Sequence, residues 1–182
     1  MLISVDGYFE GENHDLSWHN VDEEFQKFAI AQLKEIDFIL FGKTTYEMMA
    51  RFWRSTHAKK IDPVTAELMT NTDKIVFSKT LRSADWEHTQ IRREVDPKEI
   101  IKLKKQSGKY ISIFGSSDLA LSFIKHNLID EFRILVNPLV LGRGTSLFHG
   151  IQKYLQLELV DIRTFGNGNV LLTYTAQRTY QR

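Results

Sequence analysis

Apolar and amphipathic stretches alternate along the first two thirds of the chain. Three short apolar runs, "DFILFG", "KIVFS" and "YISIFG", predict buried strands, and each ends in glycine or serine. In "VDEEFQKFAIAQLKEI", "KTTYEMMARFW" and "DLALSFIKHN", apolar residues recur at the three- and four-residue spacing of a helix. This β-α alternation is typical of an α/β domain with a mainly parallel central sheet.

Capping residues predict where several helices begin. Asp62–Pro63 and Asp96–Pro97 each place an N-cap acceptor before a proline, which favours the first position of a helix. The two expected helices are "PVTAELMTN" and "PKEIIKLKKQ", the second ending before Gly108. The first helix of the chain is expected from Val21, with Asn20 as its cap. "TQI" is a candidate edge strand.

The hydrophobic period changes near the C-terminal end. "DEFRILVNPLVLG" is strand-like, and "LELVDIRTF" and "NVLLTYTAQR" flank 166–169, a Gly-Asn-Gly-Asn turn that predicts an antiparallel hairpin. The chain opens with one short strand, "MLISVDGYF", which reaches the Asp6–Gly7 turn pair. With neither linker nor repeat in the pattern, we predict one domain over 1–182.

Composition narrows the class of protein. The 182 residues carry 24 Lys and Arg against 23 Asp and Glu, which gives no electrostatic case for a nucleic-acid partner. There is no cysteine, so disulfides and thiol catalysis are excluded. No apolar run approaches the roughly 20 residues that span a bilayer, so we expect no membrane partner and a cytoplasmic protein. The six scattered histidines form no i, i+4 pair, and we expect no metal site.

Small and polar residues follow three of the predicted strands. In open α/β sheets, ligands bind beyond the carboxyl ends of the strands. There the sequence places Gly42-Lys43-Thr44-Thr45, Ser78-Lys79 and Gly115-Ser116-Ser117. Backbone N–H groups and hydroxyls at a strand-to-helix junction suit phosphate. Each segment alone is also typical of an ordinary turn, and each lysine of an ordinary surface lysine. Neither G-x-G-x-x-G nor G-x-x-x-x-G-K-[ST] occurs, which disfavours the common dinucleotide and Walker-type folds.

Six segments, in order, resemble a known family. They are "SVDGYFEG", "LFGKTTYEMM", "KIVFSKTL", "IFGSS", "LIDEFRILVNPLVLGRG" and "LF". Together they resemble the dihydrofolate reductase-like superfamily, and within it the stand-alone relatives of the RibD C-terminal domain, the reductase of riboflavin biosynthesis. The resemblance covers almost the whole chain. It implies a three-layer α/β/α fold with a mostly parallel central sheet and an antiparallel C-terminal hairpin, and often a homodimer.

The resemblance implies NADPH as the cofactor. Gly42, Lys43, Thr44 and Thr45 match the family's Gly-Arg-x-Thr at a helix start, which would reach the adenosine-side phosphates. Ser78 and Lys79 fall where the family reads the 2′-phosphate, and an ammonium there favours NADPH over NADH. The family's small-residue loop over the pyrophosphate corresponds to Gly115, Ser116 and Ser117.

The resemblance also nominates a substrate side. Hydride would pass from the nicotinamide to a small heterocyclic substrate, as in 5-amino-6-(5-phosphoribosylamino)uracil reductase and dihydrofolate reductase. The catalytic candidate is Asp6, although water is an equal source of the proton. The remaining substrate candidates, of which the aromatic members are also typical of core packing, are Val5, Gly7, Trp18, Phe25, Phe28, Trp53, Pro138 and Leu139.

One departure keeps a second hypothesis open. Folate reduction uses a carboxylate in the first helix, and the matching position falls near Gln26. Arg51 and Arg54 are candidates to hold a ribose 5-phosphate, without an obvious basic cluster. The alternative is therefore a non-catalytic NADPH- or nucleotide-binding module.

Overall fold

The computed structural model describes residues 1–114 and 117–176. Its strands are β1 (Leu2–Ile3), β2 (Tyr8–Glu10), β3 (Ile36–Gly42), β4 (Asp73–Phe77), β5 (Thr89–Arg92), β6 (Tyr110–Ile113), β7 (Glu131–Val136), β8 (Thr145–Ser146), β9 (Leu157–Thr164) and β10 (Val170–Ala176). Its α-helices are α1 (Glu23–Lys34), α2 (Lys43–Trp53), α3 (Thr56–Ile61), α4 (Pro63–Asn71), α5 (Pro97–Gln106) and α6 (Ser117–Lys125).

The chain divides into two compact units. Unit 2 is Lys27–Leu128, and unit 1 is Met1–Gln26 together with the chain from Ile129 onwards. The single domain expected over 1–182 stays a prediction.

Unit 2 contains a four-stranded parallel sheet in the order β5-β4-β3-β6. The strands expected from the apolar runs are confirmed, and "TQI" lies in the edge strand β5. Because all four strands run in the same direction, their carboxyl ends lie at one edge of the sheet. That edge receives two of the polar segments expected from the sequence, Gly42–Thr45 at the end of β3 and Ser78–Lys79 after β4.

The helix starts follow local capping chemistry, with two corrections. Asp62 and Asp96 accept hydrogen bonds from the amides of Thr65 and Lys98 at 3.1 and 2.8 Å, as the cap-plus-proline pattern predicts. The first helix begins at Glu23 rather than Val21. Its cap is Asp22, whose Oδ1 accepts from the N–H of Phe25 at 2.8 Å, and the expectation of Asn20 as the cap was wrong.

Helix α3 was not expected from the sequence, because six residues are too few to show a hydrophobic period. The side chain of Ser55 caps it by accepting from the N–H of Ala58 at 3.0 Å.

A buried lysine lies in the core of unit 2. The core gathers Phe41, Tyr46 and Trp86 with aliphatic residues of α1, β3 and α4. Lys74 is only 1% exposed. Its Nζ donates to three carbonyl oxygens at the end of α4 at 2.6 to 2.9 Å and lies 4.7 Å from the centroid of a Trp86 ring. Burial lowers the pKa of Lys74 to about 8, so the ammonium is still the main form at neutral pH.

Unit 1 contains a mixed sheet in the order β1-β7-β10-β9, and β2 pairs with β8 separately. β1 is parallel to β7, whereas β7, β10 and β9 are antiparallel neighbours, which confirms the C-terminal hairpin. The single N-terminal strand expected from the sequence is instead two, β1 and β2. They are separated by a turn at Gly7, whose φ of +85° favours glycine. The α/β fold with a mostly parallel sheet and an antiparallel C-terminal hairpin is therefore confirmed.

Candidate functional site

The junction between β3 and α2 combines an uncapped helix start with a lysine in the first turn, which is unfavourable for an isolated helix. Gly42 is the N-cap, no side chain caps the first turn, and that turn has no acidic residue. Lys43 is the first helical residue, so a cation lies at the positive end of the helix dipole. A bound anion would offset both the uncapped N–H groups and this like-charge placement. The residues that follow, Thr44 and Thr45, lie in the same first turn.

The turn after β4 lies beside this junction. Lys43 Nζ is 3.4 Å from Thr80 Oγ1 and 3.9 Å from the carboxylate of Glu47. The structure thus brings Gly42–Thr45 together with the turn that contains Ser78 and Lys79, as expected from the parallel arrangement of the strands. Their proposed contacts with a cofactor stay predictions.

Ser78 shapes this turn. Its Oγ accepts hydrogen bonds from the N–H groups of Thr80 and Leu81 at 3.2 and 2.9 Å. A serine hydroxyl has one hydrogen to donate besides its two acceptor positions. These two bonds leave that hydrogen for a further acceptor, such as a phosphate oxygen. Lys79 is exposed at the next position.

Arg93 was not expected from the sequence. Its Nη1 donates to the carbonyl oxygens of Ser78 and Leu81 at 3.1 and 2.7 Å. The sequence feature that could have identified it is the pair of arginines directly after "TQI". If "TQI" is recognised as a strand parallel to β4, these arginines fall at the same edge of the sheet as Lys79. Arg93 thereby joins Lys43 and Lys79 at this edge of the sheet.

The third predicted segment is only partly described. Gly115 and Ser116 lie outside the described residues. Ser117 is the first residue of α6 and is buried. It therefore begins the helix rather than belonging wholly to the loop before it.

The catalytic candidate Asp6 holds a loop in unit 1. Its carboxylate accepts from the N–H groups of Leu141 and Gly142 at 3.1 and 2.7 Å. The Ser4 hydroxyl, followed by the amides of Gly142 and Leu141, holds the pKa of Asp6 below its ordinary value. An ionised Asp6 can accept a proton but has none to donate at neutral pH, so its role as proton donor stays a prediction without support from this geometry.

The other substrate candidates fall in both units. In unit 1, the N–H of Val5 donates to the carbonyl oxygen of Leu139 at 2.8 Å, which brings Val5, Asp6, Gly7 and Leu139 together. Pro138 precedes Leu139 in the same segment. Trp18 donates from Nε1 to the carbonyl of Asp15 at 3.0 Å. Phe25 stacks at a tilt against Phe165, with ring centroids 6.2 Å apart. In unit 2, Phe28 lies on α1, and Trp53 packs against the core cluster.

An asparagine network was also missed. Asn20 donates from its backbone N–H to Asn137 Oδ1 at 2.9 Å, and its side-chain amide donates to the carbonyl of Asn167 at 2.8 Å. The amides of Asn167 and Asn169 donate back to the Asn20 carbonyl at 3.1 and 2.7 Å. The sequence indicated only a turn at 166–169. The network ties the segment before α1 to that hairpin and to the end of β7.

Asp6→Asn should weaken the acid dependence of stability. Because the folded-state pKa of Asp6 is lowered, its carboxylate stabilises the fold above the unfolded pKa of about 3.9, and this contribution is lost as the pH falls through the lowered value. The wild-type Tm should therefore fall more steeply than that of Asp6→Asn between about pH 6 and about pH 3. Thermal melts across this range measure it, with Asp161→Asn as a control on an exposed strand. Parallel curves for Asp6→Asn and wild type would contradict the role given to these hydrogen bonds.

The described residues hold no group of three or more His, Asp or Glu side chains placed to bind a metal ion. Within the same residues, no helix has the length and apolar character needed to cross a membrane.

The parallel sheet, its cationic carboxyl edge and the antiparallel hairpin define an α/β protein. The family model of the RibD C-terminal domain matches residues 1–171, and the chain belongs to this family. It is 33% identical to the uncharacterized protein YyaP of Bacillus subtilis (strain 168) over 180 residues, covering 96% of this chain and 91% of YyaP.

Two solved structures illustrate the shared fold. A putative riboflavin biosynthesis protein from Shewanella sp. PV-4 superposes with a TM-score of 0.73 at 21% identity, over 98% of this chain and 97% of the other. Dihydrofolate reductase from Enterococcus faecalis, complexed with NADP(H) and RAB-propyl, superposes with a TM-score of 0.63 at 17% identity, over 97% and 93%. The chain thus shares its fold with riboflavin-pathway and dihydrofolate reductase-like proteins.

Proposed function

We propose that this protein is an NADPH-dependent reductase of a small heterocyclic substrate, of the kind that 5-amino-6-(5-phosphoribosylamino)uracil and dihydrofolate represent. The observation that carries the proposal is Lys43 at an uncapped helix start, 3.4 Å from the turn after β4. A cation at the positive end of a helix is unfavourable alone and favourable beside an anion. The dihydrofolate reductase relative complexed with NADP(H) supports a dinucleotide as that anion. The cytoplasmic location expected from the sequence belongs to the same proposal.

The residues at the carboxyl edge fit the charged parts of NADPH. Backbone N–H groups at the start of α2, with Lys43 and the threonine hydroxyls, would hold an adenosine-side phosphate. Lys79 and the remaining hydrogen of the Ser78 hydroxyl would meet the 2′-phosphate, which NADH lacks. Bound NADPH supplies a hydride to an electron-poor C=N or C=O bond.

The substrate side of the proposal rests on unit 1. The segment with Val5 and Gly7 is joined to Leu139 by the Val5 N–H bond to its carbonyl oxygen, and Asp6 holds the following loop at 141–142. Since Asp6 is ionised, we expect water rather than Asp6 to deliver the proton. The fold relatives include a putative riboflavin biosynthesis protein, which favours a riboflavin precursor over folate. Gln26 stands near the position where folate reduction uses a carboxylate, which also favours a riboflavin precursor over folate.

Cofactor titration tests the proposal directly. NADPH and NADH are titrated separately into the protein and followed by calorimetry, and we expect tighter binding of NADPH. Oxidation of NADPH is then measured with dihydrofolate and with 5-amino-6-(5-phosphoribosylamino)uracil as acceptors. Absent or equal binding of the two dinucleotides would reject the phosphate-binding roles proposed for Lys43 and Lys79. NADPH binding without turnover on a broad panel of acceptors would favour a non-catalytic nucleotide-binding module, for which the missing helix carboxylate is the supporting feature.

We also propose that the protein forms a homodimer through one face of the unit 1 sheet. The register of β9 against β10 shifts at Val160, which faces no partner of its own. This β-bulge puts Glu158, Asp161 and Arg163 on one face of the sheet. The other, here called the apolar sheet face, carries Phe132, Ile134, Val136, Leu157, Leu159, Ile162, Val170, Leu172 and Tyr174.

We expect a second copy of the chain to bind to the apolar sheet face. Leu159 and Ile162 are 46% and 55% exposed, Ile134 is buried, and the other six are half-buried. None of the nine residues is charged. A two-fold interface brings the same patch of both subunits together, so a patch without charge meets its copy without like-charge repulsion. Exposed apolar patches of this kind mark interaction surfaces.

Ile162→Lys should convert the dimer to a monomer. Light scattering after gel filtration should give twice the chain mass of 21.2 kDa for wild type and the chain mass itself for the variant. Glu158→Lys, on the opposite face of the same strand, is the matched control and should remain dimeric. A monomeric wild type, or a dimeric Ile162→Lys, would rule out this interface.

A further inference from the structure

The chain after β5 lies against the turn after β4 and braces it. The N–H of Ser78 donates to the carbonyl oxygen of Arg92 at 2.9 Å. One residue further, Arg93 Nη1 donates to the carbonyl oxygens of Ser78 and Leu81, the first and last residues of the turn. Both bonds come from the same nitrogen, so the guanidinium bridges the two ends of the turn.

The turn is therefore held by two sets of hydrogen bonds, one within the turn and one from Arg93. Inside, Ser78 Oγ accepts from the amides of Thr80 and Leu81. Outside, Arg93 occupies the two carbonyl oxygens. Lys79 stands between these anchors and is exposed, so the conformation of its backbone is set by bonds that its own side chain does not make.

Arg93 also changes the electrostatics of the turn. A carbonyl oxygen carries partial negative charge, and two of them directed at one place would repel a phosphate. Charge-assisted hydrogen bonds from a guanidinium offset that partial charge. Without Arg93, the same turn would present two uncompensated carbonyls close to Lys79.

We propose that Arg93 is a positioning residue that sets the preference for NADPH over NADH. It does so by holding the Ser78–Leu81 turn in the conformation that offers Lys79 and the Ser78 hydroxyl to the 2′-phosphate. This inference rests on the proposed function. Arg93 acts through the turn, and no contact between its side chain and the cofactor is required.

Arg92 provides a matched control. It carries the same charge one residue earlier, but its guanidinium is directed elsewhere. Its Nη2 donates to Gln90 Oε1 at 3.4 Å, and its Nη1 is 3.7 Å from the carboxylate of Glu99. A general effect of positive charge near the edge should therefore be similar for the two arginines, whereas an effect of the turn belongs to Arg93 alone.

The test compares dissociation constants for NADPH and NADH in Arg93→Met, Arg92→Met and Arg93→Lys. Arg93→Met should weaken NADPH binding about tenfold and change NADH binding less than about twofold, while Arg92→Met should stay within about twofold for both. Arg93→Lys should restore most of the NADPH preference, because a single ammonium nitrogen replaces the single nitrogen that makes both bonds. Thermal melts check that each variant folds, and Arg93→Gln replaces Arg93→Met if that variant does not.

A double-mutant cycle separates positioning from other roles. In a Lys79→Met background, Arg93→Met should weaken NADPH binding by less than about threefold, because the turn then has no ammonium to present. Equal weakening by Arg92→Met and Arg93→Met would overturn the inference, as would equal loss of NADPH and NADH binding in Arg93→Met. A wild type that binds neither dinucleotide, or both equally, would instead reject the proposed function. In that case there would be no preference for NADPH that Arg93 could control.

Discussion

Lys79→Met should weaken NADPH binding about tenfold while leaving NADH binding within about twofold, because one charge-assisted hydrogen bond to phosphate contributes roughly 1.5–3 kcal/mol before solvent screening. Lys79 is exposed at the tip of the turn after β4, so its removal should not disturb the packing of unit 2. Calorimetric titration of both dinucleotides measures the effect. It should shrink as the salt concentration rises, since the interaction is between exposed charges.

Lys105→Met is the control for Lys79→Met. Lys105 lies in the last turn of α5, which leads to the amino end of β6, at the opposite edge of the parallel sheet. This variant removes the same charge from the protein and should not change the ratio of the two dissociation constants. If Lys79→Met weakens NADPH and NADH equally, Lys79 does not meet the 2′-phosphate.

Lys74→Met should lower the free energy of unfolding by about 3 kcal/mol, the largest effect on stability that we expect. Methionine has a similar length and is apolar, so the variant leaves the volume nearly filled. It removes the donor for the carbonyls of Met69, Thr70 and Thr72, as well as the cation above Trp86. Buried carbonyls without a donor lose both their protein and their water partners.

Urea unfolding followed by tryptophan fluorescence measures this loss. Lys105→Met again serves as the control and should shift the midpoint little, because exposed substitutions away from special features usually change stability by at most about 0.5 kcal/mol. An unchanged midpoint for Lys74→Met would mean that the hydrogen bonds at the end of α4 contribute little net stability.

The local elements of this protein are well predicted from its sequence. Asp62–Pro63 and Asp96–Pro97 place helix starts because the capping acceptor and the proline act on the residues directly after them. The β3–α2 junction at Gly42–Lys43 is found from the change of hydrophobic period. The helix start assigned to Val21 failed because both Asn20 and Asp22 are suitable caps. Asn20 is used by partners more than a hundred residues away.

The candidate site could be predicted only in part from the sequence, because some of its contacts join residues that are far apart along the chain. Lys43 and Lys79 follow strands that the apolar pattern already identifies, and parallel strands bring their carboxyl ends to one edge. Arg93 follows the short strand β5, whose "TQIR" shows little hydrophobic contrast. Its role depends on contacts with Ser78 and Leu81, 15 and 12 residues away, for which sequence spacing has no signature.

What the sequence determined by itself is most of the elements and their boundaries, together with the cationic and small residues at the strand ends. These depend on interactions between residues a few positions apart, and such interactions leave a pattern in the chain. Only the tertiary structure decided that Lys74 is buried against the ring of Trp86, that Arg93 braces a turn, and that a bulge at Val160 sorts β9 into a charged and an apolar face. Each of these depends on how one segment is placed against another rather than on spacing within a segment. For β9, a one-residue shift in register would move every side chain to the other face without changing the local pattern.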